Sequence, residues 1–442
     1  MPMRNKNLLS LTWPIFIEYI LQLLVSNIDK IMVNSISDTA VSSIANAATV
    51  LDVTLILFSV ISLAIIIMAS QYFGNKDYEK ISQVYAMGLL ITGTISLVLG
   101  LSLNILARPI FSLIKVPLEC LNDSVIYLQI ISAGLVFQGL YNAYVAMFRT
   151  QGYMKQSMYV SALVNLINTV LNFFLIFGIG PLPALGVAGA AIASFIARLI
   201  GLIILATYFH NNTSVEIKFK SLKPWPNKLF KTMLYVGLPS GGESISYSAS
   251  QMVILMFVNL MGNNIIRLKS FASMFAVCSY MFASSLSYAA QIIVGHIIGE
   301  KDYEAANREV KKTLWISVIV SAIISFILYL GSDLIFGIFL DDPYLLSLAK
   351  KIMFIEIFLE SSRAVNMTLV RCLQAAGDTI HPTIVGILFM WGVATFGAYF
   401  FGISLEWGII GVWIAMMLDE TFRAFIFIHR WHQGKWKTRT LV

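Results

Sequence analysis

Two carboxylates, Glu18 and Asp29, interrupt an otherwise apolar stretch, WPIFIEYILQLLVSNIDKIMVN, that runs from Trp13 to Asn34. They stand eleven residues apart, about three helical turns, and Gln22 and Ser26 fall within about a quarter-turn of the line joining them. A helix here carries one polar stripe on a greasy surface, and acidic groups placed that way inside a bilayer bind protons, cations or cationic solutes. A second stretch, LPSGGESISYSASQMVILMFVNLMG from Leu238 to Gly262, repeats the opening. Pro14 precedes Glu18 by four residues and Pro239 precedes Glu243 by four, with Tyr247 one turn beyond.

Further on, EIFLESSRAVN sets Glu356, Glu360 and Arg363 on one helical face, with Asn366 the next turn along. Glu360 and Arg363 are spaced to pair locally, and two readings stay open: an ion pair that settles helix packing, or a working charge in a polar cavity. The segment LVNLINTVLNFF places Asn165, Asn168 and Asn172 on one face, either as interhelical glue or as the lining of a hydrated pocket. Asp29 is followed at once by Lys30, so an interfacial, wet position is the bland alternative to a site. Asp52 and Arg198 lie within or near apolar spans, and Asp419, Glu420 and Arg423 read as belonging toward the end of the last one. The five histidines fall mostly at span ends without metal-ligand spacing, and Cys120, Cys278 and Cys372 match no ligand pattern and cannot all pair. No phosphate-cradling loop is present, so energy for any work has to come from an ion gradient or a partner.

The elements that position these residues are membrane helices. Hydrophobic residues make up 58% of the 442, charged residues only 12% against roughly 25% in soluble domains, and the mean hydropathy is +0.80. Apolar runs lacking a two-residue alternation argue for helices rather than a barrel. They give twelve expected spans, at about 8–33, 41–73, 82–107, 121–149, 157–178, 184–209, 231–260, 266–298, 308–331, 344–375, 380–402 and 406–429. The expected organisation is an N-lobe over 1–209, a cytoplasmic linker over 210–230 and a C-lobe over 231–442. The N-terminus carries no cleavage site after a short apolar core, so the first helix is expected to be retained.

Self-similarity ties the halves together. GNKDYE at Gly74 and GEKDYE at Gly299 are 225 residues apart; so are Pro14 and Pro239, Glu18 and Glu243, and the glycines ending RTQG at Gly152 and QAAG at Gly377. LGVAGAAIA from Leu185 and WGIIGVWIA from Trp407 match at 222. Twenty Lys and Arg fall in loops on the side holding both termini and six on the other, which predicts cytoplasmic termini and accounts for the net charge of +7 without nucleic acid. An even number of spans per half makes the repeat parallel, related by a two-fold along the membrane normal, an arrangement that transporters use.

Together LTWPIFIEYILQLLVSNIDKIMV, QYFGNKDYE, FRTQGYMKQSM, NLINTVLNFFLIFG, LGVAGAAIA, GLPSGGES, GEKDYE, LESSRAVN and LQAAGDTIHP resemble the multidrug and toxic compound extrusion (MATE) transporters over essentially the whole chain. The resemblance implies an all-α integral membrane protein of twelve helices in two six-helix lobes around a V-shaped cleft. It implies export of organic, often cationic compounds in exchange for Na⁺ or H⁺ by alternating access. In similar proteins an Asp of the first span with an Asn and an Asp of the fifth form a cation site; Asp29 and Asn168 match, whereas Asn172 stands at the second acidic position. Some relatives carry a coupling Asp in the tenth span where this chain has Arg363, which leaves C-lobe coupling to Glu243 or Glu360. The cleft is expected to be lined by Glu18, Gln22, Glu243, Tyr247, Glu360, Arg363 and Asn366. The expected partners are a small organic solute and membrane lipid, with no cofactor beyond the coupling ion (Na⁺ at Asp29, or H⁺). A monomer in the cell membrane is expected. A flippase for a lipid-linked substrate is the nearest alternative; a membrane-embedded enzyme is disfavoured because no loop exceeds about 20 residues.

Overall fold

The two Gly-x-Lys-Asp-Tyr-Glu stretches form the same corner twice. Lys76 and Lys301 take the left-handed backbone conformation, with φ of 58° and 61°. Asp77 and Asp302 then cap the helices that follow, accepting from the backbone N–H of Lys80 and Ala305; each cap satisfies an amide that a helix start leaves orphaned. Gly74 and Gly299 are required for another reason. A Cβ on Gly74 would stand 2.0 Å from the carbonyl oxygen of His296, and one on Gly299 would stand 2.0 Å from that of Gln71. The two backbones meet where no side chain fits.

The computed structural model describes residues 6–178, 183–213 and 215–442; Arg4, counted above among the loop cations, lies outside the described residues. In chain order the helices are α1 Leu8–Asn34, α2 Asp38–Gly74, α3 Tyr78–Leu113, α4 Leu118–Ala133, α5 Leu135–Thr150, α6 Met154–Phe177 and α7 Gly186–Asn212. The second half follows with α8 Asn227–Asn259, α9 Asn263–Gly299, α10 Tyr303–Leu330, the short α11 Ser332–Gly337, α12 Pro343–Ala375, α13 Ile380–Phe389, α14 Phe396–Tyr399 and α15 Gly408–His432. α4 and α5 make one pass bent by 49°, and α13 and α14 make one pass through π-helical stretches at Met390–Thr395 and Phe400–Ser404. Counted this way, the described residues cross twelve times, six passes in each half.

The bend between α4 and α5 falls at Gly134, whose repeat partner is Leu359 in the middle of the unbroken α12. A glycine lowers the cost of interrupting the helix there; a leucine supports its continuation. Eight helices are individually long and apolar enough to span a bilayer, and the bent pair makes a ninth. The remaining passes, α8, α12 and α15, hold most of the polar groups described below. Large apolar side chains such as Leu113, Leu118 and Ile105 point outward at 75–86% exposure, as a lipid-facing surface requires.

The chain forms two compact units whose division falls inside α1, α2 and α8. One comprises Pro14–Ala69 and Asp77–Leu234; the other comprises the residues up to Trp13, Ser70–Lys76 and Tyr235–Val442. Within the first, the linker is tied to α3: Ser82 donates to the Glu216 carbonyl and accepts from the Lys218 amide. Within the second, Asn307, at the repeat position of Ser82, accepts from the indole of Trp431. The C-terminal tail then packs Trp436 face to face on Trp431, ring centroids 4.4 Å apart, and its Leu441 amide donates to Gln71.

Candidate functional site

Each unit contains a buried polar centre, and the two are built differently. In the unit containing Pro14–Ala69, Glu18 on α1 is 3% exposed and accepts a 2.8 Å hydrogen bond from Arg149 at the end of α5, itself 8% exposed. The sequence pattern makes Arg149 a loop cation; the helix carries it inward instead. Farther along α1, Asp29 accepts at 2.8 Å from Nδ2 of Asn172 on α6. Nδ2 of Asn168, one turn away, donates to Ser194 on α7 at 3.1 Å. The expected trio of Asp29, Asn168 and Asn172 is therefore brought together. Oδ1 of Asn172 is buried without a donor. Gln22 and Ser26 are not buried and take no part.

In the other unit the centre lies between α12 and α15. Glu420 on α15 is its hub: its carboxylate accepts from Arg363 Nε at 3.2 Å and from Asn366 Nδ2 at 2.6 Å, and Arg423 Nη2 lies 3.2 Å away. Arg363 also donates to Glu360, and Arg423 to Asp419 at 2.5 Å. Farther along α12, Glu356 accepts from the indole of Trp413 at 2.8 Å. Glu360, Asn366 and Asp419 are 1%, 3% and 4% exposed. One oxygen each of Glu356, Glu360, Asp419 and Asn366 is buried without a donor, whereas both oxygens of Glu420 are engaged. Glu360, Arg363 and Asn366 thus come together as expected, with partners on α15 that sequence reading places elsewhere. Asp419, Glu420 and Arg423 sit near the middle of α15, not toward its end, because that helix runs from Gly408 to His432.

Glu243, the twin of Glu18, lies at the midpoint of α8. Its carboxylate faces α13, where a Cβ on Gly386 would stand 3.0 Å from its Oε1. The repeat partner of Arg149 is Gln374, which donates to Ser240 at 3.0 Å. No Lys or Arg pairs with Glu243 among the described residues. Tyr247, one turn on, is 45% exposed.

The electrostatics follow. Glu18 is matched by Arg149, and the same unit holds Asp29 and Arg198, so its interior charges balance. In the other unit Glu243, Glu356, Glu360, Asp419 and Glu420 face the guanidiniums of Arg363 and Arg423, with Arg371 two turns on over the Tyr288 ring. Carboxylates remain in excess even with Arg371 included. Buried charge of one sign is not sustained in a low dielectric, so such a centre takes up protons or monovalent cations.

Twelve helical passes with ionisable groups buried at mid-membrane define a multi-pass membrane transporter rather than an enzyme. The chain belongs to the MATE family: the MatE family model matches residues 14–174 and again 239–400, the same 225-residue register as the internal repeat. It is 30% identical over 97% of its length to the uncharacterized transporter YisQ of Bacillus subtilis, covering 94% of that protein. To the probable multidrug resistance protein NorM of Thermotoga maritima it is 25% identical over its full length, covering 95% of that relative. A crystal structure of MATE in the straight conformation superposes with a TM-score of 0.88 at 18% identity, over 98% of this chain and 96% of that one, a likeness of fold.

Proposed function

We propose that this protein exports small organic, amphipathic or cationic compounds in exchange for an inward-moving cation, by alternating access. The observation that carries the reading is the excess of buried carboxylate in the unit containing α8, α12 and α15. Glu420, saturated by two guanidiniums and an amide, serves as the fixed anion. Glu360, Asp419 and Glu356, each with one undonated oxygen, and Glu243, without a cation, are the groups that exchange protons. Neutrality needs two or three protons depending on whether Arg371 is counted. Glu18 then serves to position α1 through Arg149. The loop bias of Lys and Arg supports cytoplasmic termini in the cell membrane, and the relatives named for multidrug resistance support an organic substrate.

One observation favours a second route. The buried, undonated Oδ1 of Asn172 beside Asp29 suits a Na⁺ ligand set completed by Asn168. Proteoliposome uptake of a fluorescent cation under imposed H⁺ or Na⁺ gradients separates the routes. H⁺-driven uptake lost in Glu243→Gln and kept in Asp29→Asn supports the first, and Na⁺-driven uptake lost only in Asp29→Asn supports the second. Uptake indifferent to both gradients refutes antiport.

A further inference from the structure

One partly buried polar cluster is not used by the transport scheme above. Tyr141 on α5 is 4% exposed, and its ring lies against α7, where a Cβ on Gly201 would stand 3.0 Å from it and 2.5 Å from Val164 of α6. Arg198, one turn before Gly201 on α7, places its guanidinium 5.5 Å from the centroid of the same ring. No Asp or Glu forms an ion pair with Arg198 among the described residues. α6 and α7 run antiparallel, as the Asn168–Ser194 and Val164–Gly201 contacts show, so Asn165 falls opposite Arg198. Asn165 is 8% exposed and its Nδ2 donates to nothing; the buried Tyr141 hydroxyl has only the Ser161 side chain near it and makes no well-formed hydrogen bond. Three donors from three neighbouring helices therefore lie along one seam, Arg198 half-buried and Tyr141 and Asn165 buried, where an unused donor is costly.

The internal repeat says what such donors face when the chain supplies it. Arg198 occupies the position of Glu420, and Tyr141 that of Asn366. In the second half those two positions bond directly at 2.6 Å, and Arg363 reaches the same carboxylate at 3.2 Å. Guanidinium, amide and carboxylate are all provided there by the protein. In the first half the guanidinium stands at the carboxylate's position; Glu18 accepts from Arg149 and Asp29 from Asn172, and Asp29 reaches Arg198 only through a longer-range attraction, without an ion pair. We propose that Arg198, Tyr141 and Asn165 form a subsite for the carboxylate of a transported molecule. The substrates it selects are amphipathic acids and zwitterions, whose cationic or apolar part is handled elsewhere. This rests on the transport reading for its biological role, although the binding itself can be measured without transport.

The test uses the purified full-length protein in detergent micelles and two rhodamine dyes, one with a free carboxylate and the other its methyl ester, followed by fluorescence polarisation. A guanidinium that meets the carboxylate makes charge-assisted hydrogen bonds, so Arg198→Gln should lower the ratio of acid to ester affinity about tenfold or more. Tyr141→Phe, which keeps the ring under the guanidinium and removes only the hydroxyl, should lower that ratio about threefold. Benzoate should displace the acid dye from the wild type. Equal losses for both dyes in Arg198→Gln, or an unchanged ratio, overturns the subsite. If the Gln variant does not purify as a monodisperse species, Arg198→Lys decides: it keeps the charge but not the planar donor fork, so it should lower the acid-to-ester ratio about threefold, and an unchanged ratio in the folded Lys variant overturns the subsite. A wild type that shows no preference between the dyes overturns the subsite outright, while gradient-driven uptake of the ester into proteoliposomes leaves the transport reading standing. A wild type that prefers the acid in micelles yet transports neither dye sustains the subsite and refutes the transport reading.

Discussion

Glu18→Gln and Glu243→Gln make the same one-atom change at repeat-related positions, and the structure assigns them opposite consequences. At position 18 the carboxylate is 3% exposed and receives a 2.8 Å bond from Arg149, 8% exposed. Removing one charge from a buried pair costs about 3–5 kcal/mol, because the remaining ion keeps its desolvation penalty. The amide of Gln still offers a carbonyl to the guanidinium, which places the cost at the lower end, about 3 kcal/mol. At position 243 there is no paired cation to strand, and the neutral amide can still meet Thr383 beside Gly386 on α13, so the cost should stay below about 1 kcal/mol. Equilibrium unfolding in mixed detergent micelles measures both. The double variant Glu18→Gln with Arg149→Gln should recover about 1–3 kcal/mol of the loss, the coupling expected of groups in contact. Uptake should show the reverse order: Glu243→Gln stays folded and loses its response to the gradient, whereas the loss in Glu18→Gln tracks the loss of folded protein. Equal stability of the two single variants would refute the reasoning, and so would H⁺-driven uptake persisting in Glu243→Gln.

At the paired corners, Gly74→Ala puts a methyl 2.0 Å from the His296 carbonyl oxygen, which backbone cannot yield, whereas Gly242→Ala adds one where nothing lies within 4 Å. The first should cost about 3 kcal/mol or more and the second should be neutral or stabilising by up to about 1 kcal/mol, read as folded yield and unfolding midpoint. In the α12–α15 centre, Glu420→Gln withdraws the anion shared by Arg363 and Arg423 and should cost about 3–5 kcal/mol. Glu356→Gln, whose carboxylate has no ion pair and accepts only from the Trp413 indole, should cost about 1 kcal/mol or less in the same unfolding assay, and Asp419→Asn, which leaves Arg423 still paired with Glu420, should cost about 2–3 kcal/mol, less than Glu420→Gln. A larger loss from Asp419→Asn than from Glu420→Gln would place the fixed anion on the wrong residue.

The twelve passes are legible in the sequence because a bilayer demands long apolar helices and leaves few other arrangements. The corners are legible because Asp77 and Asp302, with their left-handed lysines, are local devices that a short stretch fully specifies. The trio on α1 and α6 is legible only through the family resemblance: the spacing puts the amides on one face, but it does not say that Asp29 of α1 is what they meet. Pairing between distant passes is not legible. Glu18 and Arg149 are 131 residues apart, and which helix ends meet depends on packing rather than on periodicity. Arg149 looks like a loop cation because it stands two residues before a turn. Asp419 and Glu420 fall near the centre of the expected span 406–429 as they do of α15, so position along the helix locates them; what the apolar pattern does not show is that they face Arg363 and Asn366 of α12.

A signal for those residues is nonetheless present, in the differences between the halves rather than in their likeness. The repeat superposes Glu18 on Glu243, Arg149 on Gln374, Tyr141 on Asn366 and Arg198 on Glu420. At the first pair the acid is kept and its cation is replaced by an amide; at the last the charge is reversed. Each change moves positive charge toward the first half and negative charge toward the second. A duplicated bundle with identical halves would present the same chemistry twice and could not tell an acid from an amine. On the function proposed above, these substitutions make one half a balanced scaffold with surplus hydrogen-bond donors and the other a store of exchangeable protons. That asymmetry lets a cation and an organic solute compete for different parts of one transporter, and it predicts that exchanging the paired charges, Arg198→Glu together with Glu420→Arg, cannot preserve function merely by conserving total charge. In a protein whose two halves were interchangeable, that double variant would retain both fold and gradient-driven uptake; here it should lose the α12–α15 centre, because Arg363 and Arg423 would then face a third guanidinium.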